Sequence, residues 1–134
     1  MRQERIVSIG PLPSHIVQAL REFGEVVCLP DASRSEVLET LDERVILLIA
    51  RGSVMVDREI MERAPRLRGI TRTGVGYDTV DIAEATKRSI PVLYTPGAMT
   101  QAVAEHTLAL MLAAVKRLFF WRERLLERDW DARY

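Results

Sequence analysis

The chain is short of most features that would place it at once. It has a single cysteine, Cys28, so it cannot close a disulfide within itself, and this sparing use fits a reducing, cytoplasmic setting. Cys28 lies in the apolar run Val26-Val27-Cys28-Leu29 and reads as a buried strand residue. Neither sign of charge is in excess. Lys plus Arg number 19 and Asp plus Glu number 19, a formal net charge of zero, which argues against non-specific binding of nucleic acid as the main business. No stretch of about 18 uninterrupted apolar residues exists, so nothing is expected to span a membrane. The opening residues Met1-Arg2-Gln3-Glu4-Arg5 read as leading straight into a strand, so no signal peptide is expected. No Cys/His/Asp/Glu group has metal-ligand spacing. The two histidines, His15 and His106, have no partner defined by sequence and read as surface or interface residues.

What is present is a regular alternation. At 134 residues the chain can hold one domain with a real core. Residues 5–9 read as a first strand, stopped by Gly10-Pro11-Leu12-Pro13. Ser14 is a plausible N-cap for a helix carrying Ile16, Val17, Leu20 and Phe23 and ended by Gly24. A second strand at 26–29 is followed by a helix opened by Ser33 or Ser35. The run 45–50 has no polar alternation, as a central strand covered on both faces requires. Asp57 caps a short helix stopped by Pro65. A strand at 67–73, a helix over 82–86 started by Asp78 or Asp81, and a fifth strand at 90–94 complete the series. Five strands alternating with short helices predict a doubly wound parallel sheet of order 2-1-3-4-5, a flavodoxin-like arrangement. From about residue 100 to 126 there is no helix breaker, so a single helix of about 40 Å is expected. Its middle is apolar all round, which implies burial on all sides. Phe119, Phe120 and Trp121 cannot share one helix face, so some of them must meet a second surface.

In such sheets ligands sit beyond the carboxyl ends of the strands. Four segments gather there: Gly10-Pro11, Ala50-Arg51-Gly52-Ser53, Thr73-Gly74-Val75-Gly76 and Thr95-Pro96-Gly97. The third ends a strand with two glycines around one residue, which lets the chain turn sharply and bare its N–H groups to an anion. Residues 74–79 come near the dinucleotide pattern GxGxxG, but Thr79 replaces the third glycine and the ribose-binding acid has no counterpart about 20 residues on. A phospho-accepting receiver needs acids where Gly10 and Arg51 stand, and a flavodoxin needs hydroxyls where 10–13 have none. Both roles fail.

The run LRGITRTGVGYDTVDI at 67–82 closely resembles the D-isomer-specific 2-hydroxyacid dehydrogenases. So do RSIPVLYTP at 88–96 and VAEHTLALML at 103–112. The likeness extends over about 48–118, three motifs in order; the first 45 residues agree in pattern only. The resemblance implies that main-chain N–H groups of Val75 and Gly76, in the turn begun by Gly74, bind a substrate carboxylate. It implies that Arg51 and Ser53 line the same crevice, and that Val75 and Val103 face the nicotinamide of NAD or NADP in a complete enzyme. The substrate would be a small 2-keto or 2-hydroxy acid.

The resemblance implies that the family's catalytic Arg, Glu and His and its nucleotide-binding Rossmann domain would follow the last helix and are expected to be absent from this chain. No catalytic residue is therefore expected in it, and Glu105 and His106 are not expected to be that pair. The expectation is a substrate-binding domain over 1–98, an interdomain or oligomerisation helix over 99–134, a truncated enzyme inactive alone, and no cofactor held by this chain alone. The other reading makes it a non-catalytic module that self-associates through its long helix. Either way a homo-oligomer through residues 100–126 is expected, because a large apolar surface seeks a partner. A membrane-surface role for Lys116, Arg117, Arg122, Arg124 and Arg128 is weakened by Glu123, Glu127 and Asp129.

Overall fold

The computed structural model describes residues 3–128 and 131. Two compact units are present, Met1–Pro96 and Gly97–Tyr134.

The first unit carries five parallel strands, β1 (Arg5–Ile9), β2 (Glu25–Leu29), β3 (Val45–Ala50), β4 (Gly69–Arg72) and β5 (Val92–Leu93), in the order β2-β1-β3-β4-β5. This is the sheet the alternation predicts. β3 runs in register with β1 and with β4, pairing Leu48 with Val7 and Ile70. All three are fully buried. A side chain of this kind, fully buried, contributes about 1.5–3 kcal/mol. Helices α1 (Ser14–Leu20), α2 (Arg34–Thr40), α3 (Arg58–Arg63) and α4 (Ile82–Lys87) make the crossovers, and Val37, Ile60, Met61 and Ala85 join the same apolar cluster as the strands.

Helix starts follow from short polar side chains. Ser33 and Glu36 form a reciprocal capping box at α2. Asp57 caps α3 by accepting the Ile60 N–H, and Asp81 caps α4 by accepting the Glu84 N–H. Ser14 is not the cap of α1. It is the first helical residue, and the Pro13 carbonyl accepts the N–H groups of Ile16 and Val17 instead. Pro13 itself stands at the N-cap, with φ −58° and ψ 143° and no side-chain hydrogen bond to the helix. Cys28 is half-buried rather than buried, because β2 is an edge strand with one flank open.

Arg34 reaches from α2 to Asp57 and Glu59 at 2.8 and 2.7 Å. Burial pushes the Asp57 carboxyl up, but the Arg34 guanidinium and the Ile60 N–H together outweigh it and hold the carboxyl below its usual range. This ion pair pins the start of α3, just after the loop that leaves β3.

The second unit corrects the expectation of one long helix. It contains α5 (Thr100–Val115) and α6 (Leu118–Leu126), separated by Lys116 and a left-handed Arg117 at φ 51° and ψ 39°. A non-glycine residue in that conformation costs about 1–2 kcal/mol. The Arg117 guanidinium lies 4.1 Å from the centre of the Phe120 ring, which offsets part of the cost. Phe120 and Trp121 meet edge to face at 5.1 Å. No residue of α5 is buried, whereas an apolar circumference predicts cover on every side. Within this chain Leu108, Met111, Leu112 and Val115 stay exposed. Among the described residues no helix is long and apolar enough to cross a membrane.

Candidate functional site

The connection from β1 leads outward to β2, whereas the one from β3 leads the other way to β4. Loops that diverge from neighbouring strands leave a crevice at their carboxyl ends. A cleft of about 440 Å³ lies there, lined among others by Gly10, Pro11, Asp31, Arg51, Gly52 and Ser53. Two glycines shape it. Gly52 adopts φ +75° to turn the chain away from β3, and a Cβ on Gly10, at φ +123°, would stand 2.8 Å from the Arg51 Cβ. The Arg51 main chain donates to the Ile9 carbonyl at 3.0 Å, and its Nη1 donates to the Pro11 carbonyl. The side chain is thereby laid across the crevice, half-buried, with no carboxylate partner among the described residues.

One strand over, β4 ends at Arg72, paired with Ala50, so the turn at 73–76 leaves the sheet about 4.8 Å from the start of the Arg51 loop. Its two flanks are tied down. The Gly74 carbonyl accepts the Thr95 N–H at 3.1 Å, and the Val56 N–H donates to the Thr79 carbonyl at 2.8 Å while the Val56 carbonyl accepts from Asp81 at 3.0 Å. Tyr77 and Tyr94 add an edge-to-face contact at 5.3 Å. Between these clamps Val75 is 47% exposed and Gly76 is exposed. Their N–H groups have no acceptor among the described residues. One detail differs from the sequence reading: neither Gly74 nor Gly76 has a positive φ. A Cβ on Gly74 would meet nothing within 4 Å, so at that position the glycine leaves open space rather than making a special turn.

Arg51 and Ser53 therefore share one cleft, but the lining of that cleft stops short of Gly74, Val75 and Gly76, which form a separate rim on the next strand. Val103 belongs to the second unit. Two charged groups went unnoticed in the sequence. Asp31, at φ 58°, is the only acid on the cleft lining among the described residues. Arg72 is half-buried at the end of β4, gives Nη1 to the Ala50 carbonyl at 3.3 Å, and keeps a buried Nε with no partner among the described residues. The sequence signal for Arg72 was a cation two residues after buried Ile70, on the inward side of a strand.

The turn is a poor seat for a dinucleotide. A pyrophosphate needs free amides at a helix start. At α4 the Asp81 carboxylate already takes the Glu84 N–H at 2.9 Å, and Glu84 brings a second acid to the first turn. These residues do not fit that group. Val75 and Val103 are 47% and 57% exposed. Among the described residues no group of three or more His, Cys, Asp or Glu could hold a metal ion.

Residues 6–126 match the family described as D-isomer specific 2-hydroxyacid dehydrogenase, catalytic domain. A D-3-phosphoglycerate dehydrogenase from Methanocaldococcus jannaschii is 34% identical over 127 residues, covering 95% of this chain and 24% of that protein. A glyoxylate reductase from Pyrococcus furiosus is 41% identical over 110 residues, covering 80% of this chain and 32% of that protein. The solved 2-hydroxyacid dehydrogenase from Ketogulonicigenium vulgare Y25 superposes with a TM-score of 0.81 at 31% identity, covering 98% of this chain and 42% of that one. The chain thus spans about a quarter to a third of the length of these curated relatives. With a match from β1 to the end of α6, and a sheet that superposes on a solved member, the chain belongs to the D-isomer-specific 2-hydroxyacid dehydrogenase family.

Proposed function

We propose that this chain is the substrate-carboxylate-binding part of an NAD(P)-dependent D-2-hydroxyacid dehydrogenase, residues 1–98 forming the binding domain and 99–134 the interdomain and oligomerisation segment. The observation that carries this is the pair of free, exposed N–H groups at Val75 and Gly76, clamped at a sheet rim one strand from Arg51. Two amides and a guanidinium suit a small oxyanion, because charge-assisted hydrogen bonds are about twice as strong as neutral ones. In the complete polypeptide NAD or NADP supplies the redox chemistry, reducing a 2-keto acid or oxidising a D-2-hydroxy acid. This chain's own residues do something narrower: Val75, Gly76, Arg51 and Ser53 receive and orient the acid. No catalytic residue is assigned to this chain, which is expected to be inactive alone, and we assign it to a reducing, cytoplasmic compartment on its single free cysteine.

Titration of the 15N-labelled chain with oxalate tests the reading. The Val75 and Gly76 N–H signals should move first and furthest, while NADH with glyoxylate gives no turnover. Turnover by the purified chain, or oxalate shifts that avoid this turn, would overturn it.

A further inference from the structure

We propose, resting on the carboxylate-binding reading above, that Arg72 is a positioning residue of the acid site, whose unpaired charge serves the ligand rather than the fold. The half-buried arginines of the first unit are Arg5, Arg34, Arg44, Arg51, Arg72 and Arg88. Arg5 and Arg44 are ion-paired with Glu25 and Asp42. Arg34 is paired with Asp57 and Glu59, and Arg88 with Glu62 and Glu84. Arg51 and Arg72 alone have no carboxylate partner among the described residues. Both stand where the acid is received. Arg51 follows the last residue of β3, Arg72 is the last residue of β4, and Ala50 pairs with Arg72 in register.

A half-buried cation without a counter-charge costs the fold, because the water it loses is not replaced by a partner. Arg72 adds to that cost. Its Nε is, among the described residues, the one buried side-chain nitrogen or oxygen with no hydrogen-bond partner. Its Nη1 makes one bond inside the protein, to the Ala50 carbonyl at 3.3 Å, which is long for such a bond. That contact braces the residue before Arg51 against the residue before the 73–76 turn. An acid on the Val75 and Gly76 amides arrives three and four residues further along the chain and brings the counter-charge the fold omits. The guanidinium need not touch it. Three residues of backbone span at most about 11 Å, so the charge is felt at the rim, most strongly at low salt.

A charge acting in this way favours a dianion over a monoanion. Oxalate and oxamate, which differ in one carboxylate, isolate the effect when titrated at low salt into the 15N-labelled chain, Arg72→Met and Arg72→Lys. Methionine keeps an unbranched stem and removes the charge. Arg72→Met should weaken oxalate at least about fivefold and oxamate only about twofold, while its urea midpoint equals or exceeds that of the parent. Arg72→Lys, which keeps a charge there, should recover most of the oxalate affinity. A part played in the fold alone predicts the reverse: a lower midpoint for Arg72→Met and an equal loss for the two ligands. Either of those results, unchanged oxalate binding by Arg72→Met, or a lysine variant no better than methionine would overturn the proposal. If oxalate moves the Val75 and Gly76 signals of the parent in that case, the carboxylate reading stands. If it moves neither, that reading falls and this proposal falls with it.

Discussion

Glycines at two strand ends look alike in the sequence and differ in what they do. At Gly10 a side chain would have to share space with the Arg51 Cβ at 2.8 Å and hold φ +123°. Gly10→Ala is therefore expected to cost about 1–3 kcal/mol in urea unfolding. Gly74→Ala meets open space at an ordinary φ and should stay within about 1 kcal/mol of the parent. Reversal of that order would show that Gly10 is not the tight position. Arg51 carries the next prediction. Arg51→Ala should raise the oxalate dissociation constant about tenfold or more, the loss of one charged hydrogen bond, and Arg51→Lys should recover only part of it. An unchanged constant in both variants would remove Arg51 from the site. At this scale the position of Arg51 and of the 74–76 turn at the strand ends was legible, because a parallel sheet exposes its loops there. Asp31 was not. It follows Pro30 at the end of an edge strand, and nothing local distinguishes an exposed acid beside a cleft from one on open surface.

The sequence narrows three helix starts to one or two capping side chains each: Asp57 for α3, Ser33 or Ser35 for α2, and Asp78 or Asp81 for α4. Asp57 and Asp81 take the N–H groups the pattern assigns to them, and Ser33 does so with Glu36. Asp57 also titrates in a useful way. Its carboxyl is held below its ordinary range in the fold, so its contribution is complete above that range and is lost as pH falls through the lowered value. Asp57→Asn keeps a capping oxygen but removes the charge. The variant should show a shallower loss of urea midpoint with acid, from neutral pH down to about pH 3. Parallel acid profiles for the two proteins would contradict the ion pair's role. The α5–α6 break was not legible, because left-handed breaks are normally announced by glycine and here the residue is Arg117. Its cost is met partly by a contact with Phe120, three residues further on, and such compensation has no signature in residue spacing.

The alternation of strands and crossovers made the whole sheet legible, including its order, since each step depends only on periodicity and handedness. The second unit resisted because its apolar residues surround α5 rather than mark one face, so the sequence says that cover is needed without saying from which side. We expect that cover to come from further copies of the chain. At micromolar concentration light scattering should report a mass above one chain, and Leu112→Glu with Val115→Glu should return it to a single-chain mass without loss of the first unit's fold. A clean monomer for the parent would defeat this.

The sheet's own border limits the form such assembly can take. β5 contributes only two residues, and the residue before it is Pro91, which has no N–H to give and whose carbonyl is already spent on Ile70. A strand arriving from another molecule would find almost no free rungs on that margin. Runaway fibre growth needs both borders of a sheet, so a margin closed at β5 limits any ladder extension to a single pairing across the β2 edge.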